Sequence, residues 1–141
     1  YPLKLLKTPK DQIAMKVDHW LARIGLEALR NGQATRLSGG ERQKLAIARA
    51  LIRKPDVLFL DEPCANLDGH ATREIEALLS DVASAGTRLV MATHDMGQAR
   101  RLANDLVFLL DGKIHEFGPA AIFDIPATGE LAAFLRGDIV T

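Results

Sequence analysis

Residues 37–63 read LSGGERQKLAIARALIRKPDVLFLDEP, and few folds accommodate that order of features. The stretch opens on a glycine pair, continues as an amphipathic helix and ends in a short apolar strand followed by two carboxylates. A glycine-rich helix start suits phosphate oxygens, because unpaired N–H groups and the positive end of the helix dipole meet there. Adjacent acids at a strand end suit a metal ion and a water. The stretch therefore predicts nucleotide chemistry.

The helix start has the sequence of a capping box. The Ser38 hydroxyl would accept from the N–H of Glu41, whose carboxylate would reach back to the N–H of Ser38, so the helix begins at Gly39. Glycine costs up to ~1 kcal/mol against alanine in a helix, so two in a row indicate that another group approaches closely. We expect phosphate oxygens at the Ser38 hydroxyl and at the N–H groups of Gly39 and Gly40. An ordinary capped helix with a tight entry turn is the alternative.

The strand after this helix is apolar without alternation. Val57 to Leu60 form a continuous run, which is typical of a strand covered on both faces in a parallel α/β sheet. Asp61 and Glu62 follow at its carboxyl end, where open α/β sheets bind ligands. Asp61 would hold Mg²⁺ through water, and Glu62 would orient or deprotonate the water that attacks a γ-phosphate. An acidic turn that only solubilises the strand end is the alternative.

A second strand is predicted to end at the same edge. Asp68 is placed to cap a helix starting near Gly69, and Gly86 is placed to stop it. The segment Arg88–Thr93 then reads as a buried strand, so His94 would stand beside the two acids. Neutral imidazole can sense a phosphate and its bound water, although a histidine at a strand end is as often a surface or capping residue.

The flanking regions predict further helices and a hairpin. Before the central stretch, Thr8 would cap a helix that Gly25 ends. After it, a helix near 96–103 precedes strands 105–110 and 113–117, joined by an Asp111-Gly112 turn. Gly118-Pro119 would break the pattern, and amphipathic segments near 120–124 and 128–135 would pack Leu131, Phe134 and Leu135 onto the core.

Composition limits the alternatives. The chain has 141 residues, 48% hydrophobic and 26% charged, which predicts one core of ordinary make-up. Its 18 basic and 18 acidic residues cancel, so no global field attracts nucleic acid or an anionic membrane. Cys64 is the single cysteine, which fits a reducing compartment. Without a signal-peptide pattern or an apolar run of ~20 residues, we expect a soluble, cytoplasmic protein.

Four motifs together resemble the C-terminal part of an ATP-binding cassette ATPase of the transporter kind. Leu37–Gln43 matches the family signature, and Val57–Pro63 matches the Walker B strand. Asn66–Asp68 is similar to the D-loop, and Thr93–Asp95 to the switch-histidine loop. The resemblance implies an α/β, partial P-loop NTPase (RecA-like) fold with a mainly parallel sheet and a C-terminal β-hairpin. Residues 1–36 would be the end of the helical subdomain, and residues 37–141 the C-terminal part of the ATPase core.

The resemblance also implies ligands, partners and residue roles. ATP and Mg²⁺ are the expected cofactors, and a second ATPase subunit and a transmembrane permease are the expected partners. The protein would lie on the cytoplasmic face of the cell membrane, held only through the permease, and would bind no nucleic acid. The implied site residues divide into a catalytic base and switch (Glu62, His94), a magnesium ligand (Asp61) and contacts to nucleotide or partner subunit (Ser38, Gly39, Gly40, Gln43, Asp68).

Three family features are missing. The sequence contains no G-x-x-x-x-G-K-[ST] phosphate loop, and no adenine-stacking aromatic or glutamine loop of the family precedes the signature. We therefore interpret the chain as a fragment of a larger ATPase, inactive alone. In the fold that the resemblance implies, the strand that carries the phosphate loop lies between the strand ending before His94 and strand 105–110. The gap left by its absence would be closed by direct pairing of these two strands, by self-association through their edges or by swapping of segments between copies.

The sequence is compatible with three functions. The favoured one is the ATP-hydrolysing subunit of a membrane importer. A DNA-repair or chromosome ATPase shares the signature and Walker B motifs, but zero net charge, the lack of a heptad arm and the Asp111-Gly112 hairpin count against it. A non-catalytic interaction module is the third. The closing Gly137-Asp138-Ile139-Val140 resembles that of oxyanion importers.

Overall fold

The structure is a computed structural model that describes residues 2–138. The chain forms two compact units, Tyr1–Ala92 and Thr93–Thr141. The first contains a parallel pair of strands, the second an antiparallel hairpin, and each has its own helices. None of the helices within residues 2–138 combines the length and the apolar character needed to cross a bilayer. Ile139 and Val140, part of the motif compared with oxyanion importers, lie outside the described residues.

The first unit begins with helices. Helix α1 spans Pro2–Leu5 and helix α2 spans Lys10–Arg23. The predicted cap at Thr8 is wrong, because Pro9 occupies the N-cap position and no side chain caps α2. The predicted end is confirmed, since Gly25 takes a left-handed φ of 70° just beyond the helix, a conformation that favours glycine. Two short 3₁₀ turns, Glu27–Leu29 and Ala34–Arg36, then lead to the capping box.

The remainder of the first unit is one helix followed by a βαβ unit. Helix α3 spans Gly39–Leu51, strand β1 Val57–Asp61, helix α4 Gly69–Ser84 and strand β2 Arg88–Ala92. The two strands are parallel neighbours. The apolar stripe of α4 is buried, and it forms the core of this unit together with residues of α3 and β1 (Ile47, Ala48, Leu51, Leu58, Ile75, Leu78, Leu79, Val82).

One face of the β1–β2 pair is open, contrary to the prediction that β1 is covered on both faces. Leu58 is buried, but Phe59 is 74% exposed and Val57 is 40% exposed. Phe59 lies beside Val90 of β2 in the parallel register, and Val90 is 49% exposed. Successive side chains of a strand point to opposite faces, so only one of the two apolar faces that the sequence encodes is packed within the described residues.

In the second unit, helix α5 spans Met96–Leu102, and strands β3 and β4 span Asp105–Leu110 and Lys113–Pro119. The predicted turn is confirmed, since Asp111 and Gly112 both have positive φ, as a type I′ turn requires. The predicted break at Gly118-Pro119 is wrong, because these residues pair with Leu106 and Asp105. Gly118 fits there because a Cβ would lie 2.6 Å from Ile122 Cδ1.

The C-terminal segments pack onto the hairpin. A 3₁₀ turn, Ala120–Phe123, is followed by helix α6, Gly129–Arg136. Leu131 is buried as predicted, and the Phe134 ring lies 5.2 Å from the Phe108 ring, centroid to centroid. Glu116 of β4 is buried beside the start of α6.

Strand pairing does not close the gap that the sequence predicted. Within residues 2–138, β2 pairs only with β1, and β3 pairs only with β4. The direct pairing of segment 88–93 with segment 106–110 is therefore wrong. The apolar faces and strand edges that remain open leave self-association as the surviving prediction.

Candidate functional site

The start of α3 is fixed by the predicted capping box. The Glu41 N–H donates to Ser38 Oγ at 3.2 Å, and the Ser38 N–H donates to Glu41 Oε2 at 2.7 Å. These contacts with Ser38, first the backbone N–H and then the hydroxyl, lower the pKa of Glu41. The Arg42 guanidinium also donates to the Leu37 carbonyl at 2.7 Å. These bonds hold the segment that precedes α3 against the first turn of the helix. Ser38 and Gly39 remain exposed.

The start of α4 is capped by the predicted residue. Asp68 Oδ1 accepts from the N–H groups of His70 at 2.9 Å and Ala71 at 2.8 Å. Donation first from Ala71 and then from His70 lowers the pKa of Asp68, so its carboxylate carries a full charge at neutral pH. This places a fixed negative charge at the start of α4.

The starts of α3 and α4 lie against each other. An ideal Cβ on Gly40 would lie 2.8 Å from the Cβ of Ala71, and one on Gly39 would lie 3.5 Å from Leu67 Cδ2. Sequence reasoning assigned the close approach at this glycine pair to phosphate; the structure shows a neighbouring helix at Gly40. The two helix starts therefore form one surface, called here the paired helix starts, comprising Ser38–Gly40 and Asp68–Ala71.

An ion pair between α3 and α4 continues this contact. Lys44 Nζ lies 3.3 Å from Glu74 Oε2, and the Lys44 side chain is only 13% exposed. Glu74 also lies 3.5 Å from Nδ1 of His70, one turn earlier on α4. Gln43 lies beside Lys44 in the second turn of α3 and is half-buried.

The two acids lie at the end of β1. Asp61 is the last residue of the strand, is exposed and lies beside Ala92 of β2 in the register. Glu62 follows with a left-handed φ of 43°, its N–H donating to the Ala92 carbonyl at 2.9 Å. A left-handed residue other than glycine costs ~1–3 kcal/mol and persists only when neighbouring bonds hold it, often at functional sites. The backbone thus turns sharply at Glu62, directly after the strand.

The carboxylates at the end of β1 suit a magnesium ion whose remaining ligands are waters and phosphate oxygens. No group of three or more His, Cys, Asp or Glu side chains converges on a metal site in the part of the chain that the structure describes. Mg²⁺ commonly uses one or two carboxylates, with waters and substrate phosphates completing the octahedron. Asp61, exposed at a strand end, fits that role.

His94 belongs to the second unit. It is exposed and lies two residues beyond the end of β2. Its neighbours are ordered by local bonds, since the Asp95 N–H donates to Thr93 Oγ1 at 3.0 Å and Asp95 Oδ1 accepts from the Gln98 N–H at 2.9 Å. Asp95 thereby caps α5, and the capped turn fixes the backbone next to His94.

The structure therefore groups some of the predicted residues. It brings Ser38, Gly39 and Gly40 together with Asp68, and it keeps Asp61 and Glu62 adjacent at the strand end. Sequence reasoning missed Ala71, whose small side chain meets Gly40. A small residue in the first turn after a capping aspartate was the available signal, but it has meaning only once α4 is known to pack on α3.

Comparison with known proteins agrees with the motifs. A family model described as ABC transporter matches residues 4–65, which include the signature segment, Asp61 and Glu62. The arginine/ornithine transport ATP-binding protein AotP of Pseudomonas aeruginosa is 37% identical over 139 residues, 98% of this chain and 55% of that protein. The histidine/lysine/arginine/ornithine transport ATP-binding protein HisP of Salmonella typhimurium is 36% identical, over 98% of this chain and 54% of that protein.

Other relatives carry different names. The phosphate import ATP-binding protein PstB 2 of Natronomonas pharaonis is 43% identical over 83% of this chain and 42% of its own length. The chain spans about half the length of the curated relatives it matches.

Among solved structures, the ADP conformation of MJ1267, an ATP-binding cassette of an ABC transporter, matches with a TM-score of 0.80 at 21% identity. That match covers 92% of this chain and 52% of the solved one, and it confirms the predicted fold class.

Proposed function

Because the chain belongs to the ABC transporter family, we propose that it forms the signature-bearing part of an ATP-hydrolysing subunit of a membrane importer. The observation that carries this proposal is the pairing of two capped helix starts, one from the glycine motif and one from Asp68. In this proposal residues 1–36 end the helical subdomain and residues 37–141 belong to the ATPase core.

The paired helix starts would bind the γ-phosphate of a nucleotide held by a second subunit. The first N–H groups of a helix have no partner within the helix, and the dipole places positive potential there. Ser38, Gly39 and Gly40 would supply a hydroxyl and N–H groups, with Gln43 one turn further along. Asp68 carries a negative charge at the same surface, which suits contact with the partner subunit rather than with phosphate.

Glu62 would orient and deprotonate the attacking water. Its position directly after β1 and its backbone bond to Ala92 hold it at the strand end, beside the proposed magnesium ligand Asp61. When bound, Mg²⁺ would neutralise charge that develops on the phosphates. His94 would contact the γ-phosphate as a hydrogen-bond donor. Holding these side chains in fixed positions would lower the activation barrier, because phosphoryl transfer depends mainly on positioning and electrostatics.

The proposed assembly has two ATPase subunits and a permease. The relatives are named as transport or import ATP-binding proteins, which supports a permease partner in the membrane and a place on its cytoplasmic side. Their named cargoes include amino acids, phosphate and polyamines. These relatives have similar sequence identity to this chain although their named cargoes differ. The shared motif residues would therefore serve energy coupling rather than cargo selection.

A hybrid protein tests the proposal. In it, this chain replaces the matching half of AotP, so that the remainder of AotP supplies the other half of the subunit. We expect magnesium-dependent ATP hydrolysis, retained ATP binding in Glu62→Gln and a fall in its kcat of at least ~100-fold, the scale of general base catalysis. Glu130→Gln is the matched control, because Glu130 is an exposed acid on α6. Equal hydrolysis by the two variants in a folded, ATP-binding hybrid would contradict the proposed role of Glu62.

A further inference from the structure

The space at Gly40 is occupied by another part of the protein. A Cβ at this position would lie 2.8 Å from the Ala71 Cβ, closer than carbon atoms of packed side chains approach. At Gly39 the corresponding atom would lie 3.5 Å from the end of the Leu67 side chain, an ordinary van der Waals contact. The two glycines therefore differ: only Gly40 is sterically required to be glycine by the packing of α4.

Neither side of this contact moves away easily. Ala71 lies in the first turn of α4, where its N–H donates to Asp68, and Gly40 lies in the first turn of α3 inside the Ser38–Glu41 capping box. The Lys44–Glu74 ion pair holds the same two helices together about one turn further along. A methyl group added at Gly40 would have to push apart two capped helix starts.

We propose that Ala71 is a positioning residue, which through Gly40 sets the separation between the start of the signature helix and the start of the helix capped by Asp68. The pair works because both residues are small. The proposal rests on the function proposed above, since that function requires Ser38 and Asp68 to meet a nucleotide and a partner subunit in one geometry. Ala71 itself would touch neither.

The contact is tested first in the present chain by a double-mutant cycle. Gly40→Ala should lower the ratio of folded to unfolded protein roughly tenfold to a hundredfold in urea unfolding, the usual range for overpacking. Alanine is the better helix former, so propensity acts in the opposite direction and cannot cause the loss. The double variant Gly40→Ala with Ala71→Gly, called the swap, again places only one methyl group between the two helices. It should be at least as stable as Ala71→Gly alone. Gly39→Ala is the control and should cause no loss of stability.

The positioning role is tested in the hybrid with AotP. Gly40→Ala should lower kcat for ATP hydrolysis roughly tenfold with KM for ATP within about twofold, because the rest of the subunit binds the nucleotide. The swap should restore kcat to within about threefold of the parent hybrid, because it keeps every backbone N–H group. A pure stability effect, measured under conditions where all variants are folded, would leave kcat unchanged.

The results separate the contact between Gly40 and Ala71 from the positioning role of Ala71. Wild-type stability of Gly40→Ala, or a swap that fails to recover stability, overturns the contact. Recovery of stability without recovery of kcat overturns the positioning role and indicates that the space at Gly40 serves a ligand. A folded parent hybrid without hydrolysis contradicts the proposed function and leaves the positioning role with no reaction to serve, while the unfolding cycle still decides whether the contact exists.

Discussion

Thr128 holds the carboxylate of Glu116 with two hydrogen bonds, from its hydroxyl at 2.7 Å and from its N–H at 3.1 Å. The Ala127 N–H adds a third at 2.8 Å, so a buried carboxylate on β4 binds the backbone at the start of α6. Thr128 also caps α6 by accepting from the Leu131 N–H. One threonine therefore joins the hairpin to the last helix.

Thr128→Ala should loosen α6. The change removes a helix cap, which costs about 1 kcal/mol, and one donor to Glu116. Hydrogen exchange should show lower protection of the Leu131 amide, with little change in α4. Thr128→Ser keeps the hydroxyl and should keep the protection. Equal protection in the alanine and serine variants would refute the role of this hydroxyl.

Stability should fall in acid because of three carboxylates. Backbone N–H donors, joined by the hydroxyls of Ser38 and Thr128, lower the pKa of Glu41, Asp68 and Glu116. Since the unfolded chain binds these protons more readily, their contribution is present above the unfolded pKa of about 4 and is lost as pH falls through the folded values. Urea unfolding at pH 7 and at about pH 3 measures this loss. A variant with all three carboxylates changed to the matching amides should lose less stability between these two pH values. An equal loss would refute the assignment of the acid sensitivity to these three groups.

Ser38→Ala should destabilise α3 by about 1 kcal/mol, because the N–H of Glu41 loses its acceptor. Thermal unfolding of the present chain measures the change. Ser38→Thr retains an oxygen acceptor and should recover most of the loss. If Ser38→Ala and Ser38→Thr were equally stable, the hydroxyl of the capping box would contribute nothing in solution.

The open face of the β1–β2 pair should make the present chain self-associate. Phe59 and Val90 lie side by side and exposed, and apolar strand faces with unpaired edges recruit other chains. Sedimentation at micromolar concentration should show dimers or larger species. Phe59→Ser with Val90→Thr should reduce them, whereas Ile125→Ser, at a residue 81% exposed outside the sheets, should not. Monomeric wild-type protein would contradict this expectation.

The present chain alone should not hydrolyse ATP. Its sequence lacks the phosphate-loop motif whose backbone and lysine position the β- and γ-phosphates, so Asp61 and Glu62 have no aligned substrate. A phosphate-release assay with purified chain, ATP and Mg²⁺ checks this. Turnover that disappears in Glu62→Gln would show that the chain needs no separate phosphate loop.

The sequence by itself determined much of the local structure, although the cap at Thr8 and the break at Gly118-Pro119 were wrong. Ser38 and Asp68 cap their helices as predicted, and Asp111-Gly112 forms its turn, because these features depend on hydrogen bonds and φ preferences among residues a few positions apart. The order of the motifs also predicted the fold class that the solved cassette confirms. Roles of individual site residues, such as Glu62 and His94, stay predictions.

The tertiary structure decided which surfaces meet. The glycine pair showed that something approaches closely, but only the packing of α4 on α3 identifies Ala71 as the neighbour of Gly40. Glu116 is buried because the start of α6 covers it, and Phe59, on a strand predicted to be covered on both faces, is exposed because no element of the described residues covers its face. Burial depends on contacts between segments distant in sequence, and residue pattern alone does not specify those contacts.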